Sequence, residues 1–344
     1  ALGRLLGTAV RAGRTDRSRV VNHRWDLAET FVTVGVVSAA EIRHASGGVL
    51  DLEVPVRLNR LVGDPAGERP YDHLIVCGPV FPHEVAGFSG GNKYFVPGVA
   101  GQEIIDVTHW IGALLTSREI IGVADTPMRR LIDRAASFIP TPTSLAAMVM
   151  HGNDLRGLFV GDMDQAWRRA TELSAELDIV WVDAPYRRVL SVVPEMYDDL
   201  WTGAKGMYKL EPAIADGGEV VIYAPHITEV SVVHGRILDE IGYHVRDYFT
   251  AQWDRFSHLP WGVLAHSTHL RGTGTYVDGV EHPRIDVTLA TGIPRSRCAR
   301  IGLGYLDPET IDPEAWAGRE NEGVLLVRRA GEQLYRVRGR GTSS

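Results

Sequence analysis

Between Gly78 and Trp110 the chain reads GPVFPHEVAGFSGGNKYFVPGVAGQEIIDVTHW. His83, Lys93 and His109 bracket one glycine-rich turn there. An imidazole can serve as a general base near neutral pH or ligate a metal. A lysine amine can lose its proton and form covalent bonds, which a guanidinium does not readily do. Of the 36 basic residues only Lys93, Lys205 and Lys209 are lysine. A chain that writes nearly every positive charge as arginine keeps its amines at this turn and at one later site. Codon bias is the bland alternative; the pairing of two lysines and the Gly-Gly before the third argue against it.

Glycines at 87, 90 and 91 allow backbone N–H groups to face an anion, for which a nucleotide phosphate is a natural guest. The pattern departs from a Walker loop, because Gly87 stands six residues before Lys93 and Tyr94 replaces the magnesium-binding Ser or Thr. A phosphate hydrolase is therefore a weak rival. No Gly-x-Gly-x-x-Gly follows a strand, so no NAD-binding fingerprint is present.

The elements that must position these groups follow from periodicity. Tyr71–Gly78 is a short apolar run bounded by turns, as expected of a buried parallel strand, so the reactive loop begins at a strand's carboxyl end, where open α/β sheets hold ligands. Residues 102–115 fit a helix with His109 on its flank, and 125–136 fit a second, capped at Asp125 with an early proline. Phe31–Val37 and the stretch to Asn59 read as strands. Residues 145–150 and 158–162 read likewise, followed by a helix over 163–175 and a strand over 178–183. The pattern restarts near 185 with strands at 188–193, 216–226, 261–266 and 284–289, helices through 205–209 and 232–241, and a closing hairpin over 322–337. His266 and His269 fall in an expected loop; with no third ligand in view they make no zinc site. Strands alternating with helices predict a mostly parallel sheet. Residues 1–6 read as a helix end, residues 1–19 as arginine-rich, and residues 338–344 as a frayed tail.

At 344 residues the chain is long enough for two domains. The boundaries expected are 1–185 for an N-terminal cofactor-binding domain, 186–325 for a C-terminal α/β domain and 326–344 for a closing strand and tail. The net charge of −7 disfavours a nucleic-acid surface, and no apolar run is long enough to span a membrane. Cys77 and Cys298 are no disulfide framework, and the cytoplasm is the default compartment.

Pro82-His83-Glu-Val-Ala-Gly-Phe-Ser-Gly-Gly-Asn-Lys93, Pro97-Gly-Val-Ala-Gly and Thr108-His109 resemble the signature of the nickel-dependent lactate racemase family. The resemblance extends over nearly the whole chain. It implies an isomerase of α/β fold, with two domains and the active site in the interdomain cleft. It implies a nickel pincer cofactor, pyridinium-3-thioamide-5-thiocarboxylic acid mononucleotide, tethered at Lys93 in a bed that includes Ser89, Gly90, Gly91 and Pro97. His83 becomes the catalytic base and His109 the nickel ligand. Trp201-Thr202-Gly-Ala-Lys205 resembles a later segment in which Lys205 contacts the substrate carboxylate, with Trp201, Thr202 and His226 as further substrate contacts. The implied reaction inverts C2 of a 2-hydroxy acid: hydride passes reversibly to the cofactor while a base holds the hydroxyl proton. The partners implied are a small 2-hydroxy acid and the cofactor-biosynthesis proteins, with a homo-oligomer left open.

Two departures set expectations of their own. The family's upstream Asp-Asp-x-Thr-Arg-Pro-like and Gly-Thr-His motifs are not in this sequence, which predicts a chain short of one base. Thr202 stands where the family has glutamine, and with His226, His266 and His269 it favours a sugar acid of the gluconate/mannonate type over lactate or malate. A non-catalytic, cofactor-binding paralogue is the rival from another class.

Overall fold

The computed structural model describes residues 21–339 except Glu68. The expected helix end at 1–6, the arginine-rich stretch over 1–19 and the tail from 340 onward lie outside the described residues. The first half contributes β1 (Phe31–Val37), β2 (Val54–Asn59), β3 (Leu74–Pro79), the short β4 (Pro82–His83) and β5 (Gly87–Phe88), β6 (Thr143–His151), β7 (Asp154–Gly161) and β8 (Ile179–Val182). The second half contributes β9 (Tyr186–Val192), β10 (Ile214–Ala224), β11 (Gly274–Val277), β12 (Val280–Pro283), β13 (Asp286–Thr291), β14 (Gly304–Tyr305), β15 (Val324–Val327) and β16 (Leu334–Val337).

β1 and β2 pair antiparallel and are joined through the helix Ala39–Ala45, which opens with a Ser38/Glu41 capping box. Alternate residues of β2 are buried, and β2 lies against the helix Gln102–Leu115. The three-stranded sheet has the order β3-β6-β7, with β3 parallel and β7 antiparallel to β6. The second half holds a five-stranded, all-parallel sheet of order β14-β13-β10-β9-β15, whose central strand β10 ends in the apolar run over 220–224. The fold is α/β, with parallel-rich sheets flanked by helices, as expected. One hydrophobic core runs through both halves. No helix among the described residues is long and apolar enough to cross a membrane.

Four local expectations are corrected. Residues 261–266 are not a strand: Trp261–Arg271 is a helix whose residues Val263 to Leu270 are all buried. A helix covered on nearly every side carries no polar stripe, so its period is invisible in sequence. The hairpin over 322–337 does not form, because β15 pairs with β9 while β16 crosses to pair with β8. β3 is an edge strand and is buried on one face only, leaving Ile75 74% exposed. The helix Pro127–Ala136 is capped by Thr126, while Asp125 pairs with Arg130 at 2.7 Å.

The turn between β4 and β5 is the tightest constraint on the reactive loop. Gly87 has φ +75, and a Cβ there would overlap the carbonyl oxygen of Val123, which belongs to rigid backbone. Gly152 has φ +58 with nothing within 4 Å. Urea denaturation should show Gly152→Ala costing about 1 kcal/mol and Gly87→Ala at least about 3 kcal/mol. Equal costs at the two positions would contradict the packing argument.

Candidate functional site

The chain leaves β3 at Pro79 and at once makes the β4–β5 pair, in which His83 faces Gly87 and Pro82 faces Phe88. Ser89, Gly90 and Gly91 follow, then one 3-10 turn, Gly91–Tyr94, that carries Lys93. This turn is clamped from behind. The Trp167 indole N–H donates to the Ser89 carbonyl at 2.8 Å, and the Arg129 guanidinium donates to the Gly90 carbonyl at 3.1 and 3.3 Å. Arg129 in turn lies over the Trp167 ring at 3.6 Å. A Cβ on Gly90 would meet Val80 at 2.6 Å, and one on Gly91 would meet Trp167 at 2.9 Å. Both glycines therefore serve close packing. The Ser89 hydroxyl donates to the Pro79 carbonyl and accepts from the Phe81 N–H, so it is committed within the loop. Pro97 is half-buried behind Lys93, where Gly98 N–H closes on the Lys93 carbonyl at 3.1 Å.

His109 stands on the helix Gln102–Leu115 with Nδ1 2.7 Å from the Ile105 carbonyl. A carbonyl only accepts, so Nδ1 carries the proton and Nε2 keeps its lone pair, the form that can ligate a metal. Among the described residues no three His, Cys, Asp or Glu side chains are grouped to hold a metal ion. A metal at His109 would therefore draw most of its ligands from a bound group, which fits a pincer and does not fit a zinc-type site.

His83, Lys93, His109 and Lys205 do converge, and the group at their focus is Glu84. Its carboxylate lies 3.4 Å from His83 Nδ1, with side-chain exposures of 13% for His83 and 17% for Glu84. Burial disfavours the Glu84 charge, but His83 and Lys205 outweigh it and hold the carboxyl well below its ordinary range. Burial pushes His83 well below an ordinary histidine, opposed by Glu84 and reinforced by Lys93, Lys205 and His109. Lys93 is lowered to about 8, chiefly by burial, with Glu84 resisting and Arg129 and Lys205 assisting. Lys209 is likewise lowered to about 8 by burial; its ammonium donates to the Glu332 carbonyl at 3.1 Å and lies 5.1 Å from the Phe81 ring centroid. His269, lowered to about 4, and Tyr208, raised well above its ordinary value, are perturbed first by burial and then by Glu84. All three lysines of the chain thus share one carboxylate.

Two cavities flank this cluster. One of about 770 Å³ is lined by Lys205, Lys209, Phe81 and Tyr197. The other, about 640 Å³, is lined by His109, Trp201, Asp106 and His234. Trp201 stacks flat on His266, with ring centroids 3.9 Å apart. Thr202 and His226 stand apart from the cluster. The Thr202 hydroxyl donates to Asp199 at 2.8 Å within a helix cap, and the exposed His226 has Nε2 3.0 Å from the Tyr197 carbonyl. His266 and His269 lie on the buried helix Trp261–Arg271 and not in a loop.

Sequence reasoning gave Glu84 and Tyr208 no role, noted Lys209 only as one of the three lysines, and placed His269 in a loop. The signal for Lys209 was its place four residues after Lys205, which puts both on one side of a helical turn. Glu84 adjoined His83 in the opening motif, and only the tight turn to Gly87 makes its burial necessary. The helix that brings His269 to the cluster gave no signal, because it has no polar stripe.

The lactate racemase N-terminal domain family matches residues 15–122. A lactate racemase from Thermoanaerobacterium thermosaccharolyticum is 27% identical over 44% of this chain, and the match covers 36% of that protein's length. A structural-genomics protein from Thermotoga maritima is 32% identical, with a TM-score of 0.86 over 96% of this chain and 82% of that one. The lactate racemase apoprotein from Thermoanaerobacterium thermosaccharolyticum shares the fold, with a TM-score of 0.70 over 97% of this chain and 74% of that one at 18% identity. Residues 15–122 thus match a lactate racemase N-terminal domain, and the chain has the fold of the lactate racemase apoprotein over nearly its whole length.

With its pKa near 8, the Lys93 amine is free base to a useful extent in neutral solution. Limited acetylation read by peptide mass spectrometry should modify Lys93 with half-maximal rate near pH 8, and Lys209, only 2% exposed, far more slowly. A Lys93 midpoint above pH 10 would show that burial does not tune it.

Proposed function

We propose that the protein inverts C2 of a 2-hydroxy acid, acting as a racemase or epimerase with a nickel pincer mononucleotide attached at Lys93. The observation that carries this reading is the convergence of a reactive amine, two imidazoles and two further lysines on one buried carboxylate. The excess of positive charge suits a substrate carboxylate. Lys205, partly exposed and beside the Tyr197 ring at 5.4 Å, is the cation for that carboxylate. His83 takes the C2 hydroxyl proton and returns it. When bound through Lys93, with His109 Nε2 as a protein ligand to nickel, the pincer supplies the hydride acceptor. Burial of the cluster excludes water from the ketone-level state of the substrate.

The residues concerned come from 83–109 and from 205 onward, so the proposed site lies in a cleft between an N-terminal cofactor-binding domain and a C-terminal domain. For substrate we favour a sugar acid of the gluconate/mannonate type. The cavity at His109 and Trp201 has several times the volume of a three-carbon acid and includes Gln102, Glu103, Asp106 and His234, which suit successive hydroxyl groups.

Co-expression with the cofactor-biosynthesis proteins should give an intact mass shifted at Lys93 and a stoichiometric nickel content. The loaded protein should interconvert the C2 epimers of gluconate, and Lys93→Arg should lose adduct, nickel and roughly a thousandfold of activity. An unmodified Lys93 without nickel, or inversion undiminished in Lys93→Arg, would overturn the reading. An adduct with no inversion of gluconate, lactate or malate would mark a cofactor-binding protein without catalysis.

A further inference from the structure

His83 has two neighbours at Nδ1 that demand opposite things of it. The Val85 backbone N–H donates to Nδ1 at 3.1 Å, and the Glu84 carboxylate lies at ion-pair distance, 3.4 Å, from the same atom. An N–H can only donate. If Val85 prevails, Nδ1 is bare, the proton sits on Nε2, and the neutral ring offers the substrate an acid and no base. A carboxylate can only accept. If Glu84 prevails, Nδ1 holds the proton and Nε2 presents its lone pair to the site. The two residues compete for one ring tautomer, and the reaction proposed above needs the second form first.

We infer that Glu84 is a positioning residue: it accepts the Nδ1 proton of His83 and so makes Nε2 the base that takes the C2 hydroxyl proton of the substrate. This rests on the activity proposed above. The proton from the hydroxyl oxygen then adds to the Nε2 lone pair, giving an imidazolium whose Nδ1–H stays on Glu84. Return of the same proton to oxygen restores the neutral ring, so no proton is gained or lost over a turnover.

Three observations favour Glu84 over Val85. A bond from imidazole to carboxylate is charge-assisted, whereas a backbone N–H to a neutral ring nitrogen is not. Glu84 is four-fifths covered, so water screens it poorly. It also faces Lys93 on the glycine turn and Lys205 and Lys209 at the helical turn, whose ammonium charges favour its ionised form, with His269 on the helix Trp261–Arg271, His109 on the helix Gln102–Leu115 and the Tyr208 hydroxyl beside it. Burial holds His83 neutral in the resting protein, which makes its tautomer the quantity that matters.

The test reads the tautomer directly. Long-range proton–nitrogen NMR correlations on the full chain, labelled at histidine ring nitrogens and assigned through the signal lost in His83→Gln, should show His83 protonated at Nδ1. In Glu84→Gln an amide N–H can donate to Nδ1, and the ring should switch to the Nε2–H form. In the cofactor-loaded protein kcat should then fall about a hundredfold with KM within about twofold, and Glu84→Asp should recover part of kcat. Nε2–H in the wild type, or an unchanged tautomer in Glu84→Gln, would overturn the inference. The NMR arm needs neither cofactor nor turnover, so failure of the racemase reading leaves it legible. A wild type that inverts hydroxy acids while His83 is Nε2–H would sink the role of Glu84 alone.

Discussion

Charge burial is the constraint on which the site depends. Six cationic or potentially cationic side chains and one carboxylate are gathered together, and an unpaired charge in such a place is prohibitively costly. The molecule answers in two ways. Glu84 stands as counter-ion to Lys93, Lys205 and Lys209, and burial pushes the cluster toward neutral forms, His83 well below an ordinary histidine, His269 to about 4 and Lys93 and Lys209 to about 8. What remains is an excess of positive charge that an anionic ligand would complete, and such a ligand stabilises the folded chain by mass action.

That electrostatic arrangement requires a rigid frame. The reactive loop is held by groups that do no chemistry: Trp167 and Arg129 fix the carbonyls of Ser89 and Gly90, and Asn92 donates to Asp133 at 3.0 Å. The clamp has a cost, since Arg129 is 3% exposed and its Nε has no hydrogen-bond partner among the described residues. On the other side, the helix Trp261–Arg271 packs along Gln102–Leu115, which brings His269 to the cluster that His109 borders. The helix Gln102–Leu115 ends at Thr116, a β-branched residue at φ +67. Such a conformation survives only where its surroundings impose it.

How much of this was legible in the sequence depends on whether the signal was local. His83, Lys93 and His109 lie within one short stretch with turn residues at fixed offsets, and their grouping could be read directly. Lys205 could be reached through the scarcity of lysine and the later motif. The helix carrying His266 and His269 could not, because burial on all sides removes the polar stripe by which a helix is recognised. β16 pairing with β8 was equally hidden: two short apolar strands a few residues apart read as a hairpin unless a distant strand competes for one of them. His226 shows the opposite error. A histidine at the end of a buried strand is well placed for a site in general, and here it turns outward and bonds to the Tyr197 carbonyl.

The distribution of lysine ties composition to structure. Lys209 is 2% exposed and is served by one carbonyl, an aromatic face and a shared carboxylate, a niche for a compact ammonium that the five-donor fork of arginine would leave unsatisfied. Lys93 is lowered to about 8, a state that guanidinium does not reach by burial: Arg129, the more hidden of the two at 3% exposure, is lowered only to about 10. Arginine can therefore clamp the turn while lysine supplies its reactivity. The two cations meet at the same loop, one behind it and one upon it, because the physical demands on the two positions differ.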